Sequence, residues 1–300
     1  MRIFVAGASG AIGQPLIAEL IHLGHSVTGM TQSDAGAKKL TALGASAAIA
    51  NALDLDSVEK ALQQSKPEVV IDELTSLPKN PADLPAYSAG DRKLRLEGGG
   101  NLHKAALAAG VRRYIQQGSG FFLKAGSGLA DESIGLAIDA SPGIAASAQM
   151  YAAIEERTLK PSPMEGVVLR YGFFYGPGTW YHPDGGAADQ ARAKQLPVVG
   201  QGLAVWSFVH TEDAAIATAA ALTAEPGIYN IVDDDPSPVH ICVPKFAAWV
   251  GAPPPPRVTE FIARAVAGED AVYYNAKLRG ATNEKARKHL NFTPRRLQWL

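Results

Sequence analysis

Short apolar runs alternate with helical patterns through the first half of the chain. Residues 3–6 (Ile-Phe-Val-Ala) read as a buried strand, and Ile12, Leu16 and Leu20 recur as one face of a helix that Gly24 closes. A second strand is expected at 25–30. The helix after it spans 35–43, with Ser33 and Asp34 as caps and Gly44 as its stop. A strand at 47–50, a helix at 54–64, a strand at 69–71 and a long helix at 94–109 follow. Further strand-like runs stand at 114–117 and 167–170. Strands joined through helices return parallel, with helices covering both faces. The expected fold class is α/β, a Rossmann-type doubly wound parallel sheet.

Beyond residue 175 the periodicity loosens. Glycine, proline and aromatics dominate 175–201, and a proline-rich stretch at 252–257 precedes a mostly helical tail. Runs at 208–210 and 228–232 read as late strands rejoining the sheet. This divides the chain into a dinucleotide-binding core, 1–174 with 207–232 returning to it, and a small C-terminal substrate-binding lobe from 175–206 and 233–300.

Composition narrows the function classes. Among 300 residues, 28 basic against 29 acidic side chains leave a net charge of −1, without the positive excess that nucleic-acid or membrane-surface binding needs. No apolar run approaches the ~20 residues that cross a bilayer. The first residues enter a strand directly rather than forming a signal peptide, so a cytoplasmic protein with a small-molecule partner is expected. A lone Cys242 excludes an internal disulfide and a cysteine-built zinc site. Asp233-Asp234-Asp235 before Pro236 reads as a turn rather than a chelate, and no metal site is expected. His210 and Asp213 read as cap and packing residues, and His182 as a loop histidine within reach of a substrate.

The most informative motif is Gly7-Ala8-Ser9-Gly10-Ala11-Ile12-Gly13, set between the first strand and the first helix. Glycines there allow a tight turn and let backbone approach a pyrophosphate, which the helix N-terminus attracts. Ser9, Ala11 and Ile12 complete that loop. The second strand ends in Thr31-Gln32-Ser33, with no acid to engage a ribose 2′-hydroxyl, and Lys38 and Lys39 follow one turn later. That pattern favours NADP(H) over NAD(H).

With these residues in view, the chain resembles the extended and atypical short-chain dehydrogenases/reductases of the NAD-dependent epimerase/dehydratase branch. The resemblance rests on four blocks: the glycine loop; Glu97 to Leu102 with Ala109 to Tyr114; Leu169-Arg170-Tyr171-Gly172-Phe173-Phe174-Tyr175-Gly176-Pro177-Gly178; and Phe208 to Asp213. It implies a sheet of about seven strands, a nicotinamide cofactor and a small-molecule substrate. By the same resemblance Asn51 and Ala52 lie by the adenine. Leu74 and Thr75 lie by the ribose and pyrophosphate, and Gly118, Tyr171, Phe173 and Phe174 near the nicotinamide. Ser119 falls on the family's catalytic serine or threonine. Homodimerisation through the 94–109 helix follows by analogy.

The family's tyrosine and lysine, four residues apart, are not both present. In one register Tyr151 is the catalytic tyrosine and Glu155 replaces the lysine. In the other, Glu155 matches an acid one turn after the lysine, which puts Tyr151 at the lysine position and Ser147 at the tyrosine position. Neither register supplies an ammonium group to lower a tyrosine pKa. Arg95 stands where the family often has an asparagine. Phe121, Phe122, Trp180, Tyr181 and Trp206 fall on the family's substrate pocket, and so aromatic a lining favours a flat or hydrophobic ligand. The expected activity is NAD(P)-dependent hydride transfer to or from a small aromatic or hydrophobic carbonyl or alcohol, with Ser119 and Tyr151 at the reacting oxygen. The missing lysine leaves open epimerisation, non-redox isomerisation, cyclisation or elimination, or a non-catalytic dinucleotide sensor.

Overall fold

In the computed structural model, which describes residues 1–300, seven strands form one parallel sheet. They are β1 (Arg2–Ala6), β2 (Ser26–Thr31), β3 (Ser46–Ile49), β4 (Val69–Asp72), β5 (Arg113–Ser119), β6 (Glu165–Tyr171) and the late strand Gly227–Ile231. Their spatial order is β3-β2-β1-β4-β5-β6 and then the late strand. From β1 the chain first works outward through β2 and β3 and then returns to build β4 on the other side, so a crevice opens between β1 and β4 at their carboxyl ends.

The apolar runs are continuous because both faces of the sheet are covered. Along β1, Ile3 and Val5 join the core beneath α1 (Gly13–His22), whose Leu16, Ile17 and Leu20 are fully buried. Phe4 and Ala6 point the other way, among Val58, Leu62, Leu102 and Tyr114. That second layer is supplied by α3 (Leu55–Ser65) and α5 (Gly99–Ala108), while α2 (Asp34–Ala42) packs beside β2 and β3. Ser33 and Asp54 cap α2 and α3 by accepting from Gly36 N and Ser57 N, so these helices start where the capping chemistry places them.

Two expectations are corrected. The helix expected at 94–109 begins earlier: α4 (Leu84–Lys93) continues through a π-helical turn, Leu94–Gly98, into α5 with helical backbone throughout. The run Phe208–His210 does not rejoin the main sheet; it pairs in parallel with Phe173–Tyr175 as a separate ribbon. A three-residue run carries too little pattern to specify its partner. A third core gathers α6 (Pro142–Leu159) with residues from the C-terminal segments, among them Trp206, Phe208, Phe246 and Trp299. No helix is long and apolar enough to cross a membrane.

Candidate active site

The glycine loop lies at the open end of the crevice. Gly7 has a φ of +78°, and a Cβ there would come 2.3 Å from the carbonyl oxygen of Glu73. A Cβ on Gly13 would come 2.4 Å from Gly7 O, so α1 abuts the turn without room for a side chain. Gly10 faces the other way, exposed like Ser9, with Gly7 O the only atom near its missing Cβ. Unlike α2 and α3, α1 has no side-chain cap and no acid in its first turn. An exposed glycine backbone leading into a helix whose first turn carries no acid suits an anionic pyrophosphate, so these residues fit a dinucleotide.

The other expected cofactor residues take up positions along the same edge. Thr31 is buried at the end of β2, Gln32 and Ser33 are exposed there, and Lys38 and Lys39 are exposed on α2. Asn51 is exposed and its Oδ1 accepts from Leu53 N; Ala52 is buried and its carbonyl accepts from Asn101 Nδ2. Leu74 and Thr75 follow β4, and Gly118 lies in β5 against Val168 and Arg170.

Sequence reasoning missed most of the polar network beneath the crevice. Arg95, carried inward by the π turn, is almost fully buried. It donates from Nε to Asp91 Oδ2 (2.8 Å), from one terminal nitrogen to Gln117 Oε1 (2.7 Å) and from the other to Thr75 Oγ1 (2.8 Å). Its guanidinium also lies 5.3 Å from the centre of the Tyr151 ring. The spacing of Asp91 and Arg95 signals a helical ion pair, but nothing in the sequence joins either to Thr75 or Gln117.

Glu155 accepts two bonds from Arg170, both at 2.7 Å, with both side chains buried. Tyr151 is buried, its pKa raised by desolvation and only partly opposed by Arg95. Ser119, at the end of β5, has no exposed surface, and its Oγ accepts from Phe121 N at 3.3 Å.

The aromatic side chains converge. Phe121 stacks on Phe173 at 4.7 Å, and Phe173 meets the edges or tilted faces of Tyr181, Trp206, Phe208 and Tyr274. Phe122 bridges Tyr151 and Tyr274. Tyr274, from the π-helical turn Tyr273–Lys277, was not anticipated; its polar neighbours gave no hint of a pocket residue. Phe174 departs from this group to pack on Tyr171, and the Trp180 indole turns away to donate to Pro78 O. No protein group bonds the hydroxyls of Tyr151, Tyr181 and Tyr274, and burial raises the pKa of all three.

The remaining candidates have local roles. His210 Nδ1 accepts from Glu212 N at the start of its helix, Asp213 holds Arg295, and His182 Nδ1 accepts from Asp184 N. The three consecutive aspartates diverge. Asp233 accepts from Asp235 N, Asp234 pairs with Arg287, and Asp235 pairs with Arg296.

A nicotinamide-binding fold with an aromatic cluster beside it is what the fold and site define. The chain belongs to the NAD dependent epimerase/dehydratase family, whose model matches residues 3–232. It is 37% identical over 302 residues to a 3-diazoavenalumate denitrifying reductase of a Streptomyces species, a match covering 100% of this chain and 98% of that protein. Its fold is similar to that of the UDP-glucose 4-epimerase of Thermus thermophilus in complex with NAD (TM-score 0.73, 22% identity, 100% and 96% of the two chains). It is also similar to DesIV, the dTDP-glucose 4,6-dehydratase of Streptomyces venezuelae, solved with NAD bound (TM-score 0.75, 18% identity, 99% and 93%). This protein is an enzyme of that family.

Proposed function

We propose that the protein is a nicotinamide-dependent reductase of a small aromatic substrate, with NADP(H) favoured over NAD(H). The observation that carries this reading is the aromatic cluster of Phe121, Phe122, Phe173, Tyr181, Trp206 and Tyr274, gathered with three unbonded tyrosine hydroxyls. Arg95 is the one cation over any of these rings, and Asp91 already engages it. Such a cluster holds a flat ring by stacking and leaves a nucleotide-sugar diphosphate without cationic partners. The similarity to a reductase over the full chain supports the same reading.

Residues 7–13 would hold the pyrophosphate. Thr31, Gln32 and Ser33 would flank the adenosine ribose, Asn51 and Ala52 the adenine, and Leu74, Thr75, Gly118, Tyr171, Phe173 and Phe174 the remainder. Neutral hydrogen-bonders at 31–33 with Lys38 and Lys39 nearby support the preference for a 2′-phosphate. A bound nicotinamide supplies hydride chemistry; the chain orients the acceptor ring and excludes water. Residues 175–206 and 233–300 serve as the substrate-binding lobe.

Tyr151 stays protonated across neutral pH, so it donates a hydrogen bond but does not serve as a base. Ser119 Oγ keeps its own proton to offer, because its lone pair receives the Phe121 N–H. With no lysine to recharge a proton relay, the site suits an acceptor whose reduction takes no proton from the protein. A diazo-bearing arene that exchanges dinitrogen for hydride meets that condition, and an aromatic aldehyde does not.

The test is to incubate the enzyme with NADPH or NADH and a panel of arenediazonium salts and aromatic aldehydes, against protein-free controls, following nicotinamide absorbance and arene product. Cofactor consumed one-for-one with arene formed from the diazonium salts supports the proposal, and turnover of the aldehydes instead overturns the proton argument. Substrate converted with the cofactor returned unchanged sinks it in favour of epimerase-type chemistry.

A further inference from the structure

Glu73, directly after β4, is a buried acid that the proposed reaction does not use. It is 3% exposed, and its Oε2 is buried with no hydrogen-bond partner. Its main chain forms the surface against which Gly7 packs, so the side chain sits immediately behind the glycine loop. Four oxygens then form a chain of short contacts starting at its carboxyl group. Glu73 Oε1 lies 3.0 Å from Tyr171 Oη, Tyr171 Oη lies 2.6 Å from Thr218 Oγ1, and Thr218 Oγ1 lies 2.6 Å from Ala214 O.

Counting protons along this chain of contacts fixes its charge state. Three short contacts each need one proton. Tyr171 and Thr218 supply two, and a carbonyl supplies none. Thr218 donates to Ala214 O and Tyr171 to Thr218, so the contact at Glu73 is closed only when the carboxyl group donates to Tyr171 Oη. An ionised Glu73 would leave two lone pairs facing each other at one of the three links.

We propose that Glu73 is a charge gate on dinucleotide binding: as a neutral acid it lets the phosphates seat on the glycine loop, and as a carboxylate it repels them. The proposal rests on residues 7–13 being the phosphate site, and it deepens that reading by making affinity depend on one proton behind the loop. The groups facing Glu73 are Asp72 on its own strand, Tyr171 on β6, Arg95 on the π turn and Tyr151 on α6; the glycine loop itself brings no titratable side chain. Desolvation, reinforced by Asp72 and opposed by Arg95 and by the Tyr171 hydroxyl, which turns its proton to the carboxylate once that ionises and opens the link to Thr218, moves the Glu73 carboxyl up to about 8. The gate therefore operates just above neutral pH. Because bound phosphate and an ionised Glu73 exclude each other, binding above that point must draw in a proton.

The experiment measures dissociation constants for NADH and NADPH by titration calorimetry from pH 7 to 9.5, each in two buffers of different ionisation enthalpy. The whole protein is used as wild type, Glu73→Gln and Thr218→Val. In the wild type, affinity falls by about thirtyfold across the range, with uptake of close to one proton at the alkaline end. Glu73→Gln, whose amide donates to Tyr171 in place of the acid, binds with a flat profile and no proton uptake. Thr218→Val frees the Tyr171 proton for the carboxylate, so the inflection moves to lower pH, a shift that loosened packing alone does not produce.

Tight binding with parallel wild-type and Glu73→Gln profiles overturns the gate and leaves the reductase reading intact. Absence of binding at every pH overturns the phosphate site, and the gate with it.

Discussion

Replacing Glu73 by glutamine should stabilise the free protein, and by an amount that grows with pH. Unfolded, a glutamate ionises near 4.5; folded, Glu73 holds its proton to about 8. Between those values the native state carries a proton that the unfolded state has released, so stability falls as pH rises through the window, with a limiting slope of about −1.4 kcal/mol per pH unit. Below pH 4.5 both states are protonated and the group contributes nothing; above 8 the full cost is in place. At pH 7 the acid has been carried about 2.5 units above its unfolded value, a cost of about 3 kcal/mol. Glutamine keeps the shape and the donor to Tyr171 and has no charge to release, so it escapes this cost. The unpartnered second oxygen is present in both proteins, and its penalty cancels to first order. Urea denaturation of both proteins at pH 4.5, 7 and 8.5 checks the argument. The expected gap between the midpoint-derived stabilities is near zero at pH 4.5 and about 3 kcal/mol in favour of Glu73→Gln at pH 7. A gap that stays constant with pH, or a variant weaker at every pH, would refute the reasoning that Glu73 is neutral in the fold.

Three further outcomes follow from the geometry. Glu155→Ala strands the buried Arg170 guanidinium, which now has two 2.7 Å bonds to carboxylate oxygens; the loss should be about 3–5 kcal/mol by urea unfolding at pH 7, and Arg170→Leu added to it should recover part of that. Gly10→Asp places a carboxylate on the exposed side of the glycine loop and should weaken NADPH binding at least about tenfold in a fluorescence titration, with little change in unfolding midpoint, because nothing but Gly7 O stands near its Cβ. Gly7→Ala forces a side chain at φ +78° to within 2.3 Å of Glu73 O, and should lower stability by about 2 kcal/mol or more as well as binding.

What the sequence showed and what it hid divide along a physical line. The central strands were legible because a sheet covered on both faces makes each strand a continuous apolar run, as in Ile3 to Ala6. Ser33 and Asp54 marked helix starts because capping is local chemistry. The first half of the α4–α5 helix was hidden by Pro85, Ser88 and Gly90, residues that weaken a helical pattern without preventing a helix already packed on its neighbours. Arg95 stands four residues after Asp91, a spacing that pairs them on one helix, but its other partners, Thr75 and Gln117, come from distant segments and meet it only after folding. For Glu73 the signal was present in the strand pattern itself. Val69 to Asp72 are all buried, and successive side chains there alternate between faces that are both covered. Two acids in succession at the end of such a strand have no solvent side to turn to. One must find a partner in each layer: Asp72 takes the Tyr114 hydroxyl at 2.8 Å, and Glu73 takes Tyr171 on the opposite side. A carboxyl group thus enclosed at the crevice between β1 and β4, where the glycine loop also lies, has to settle its charge against whatever anion binds there.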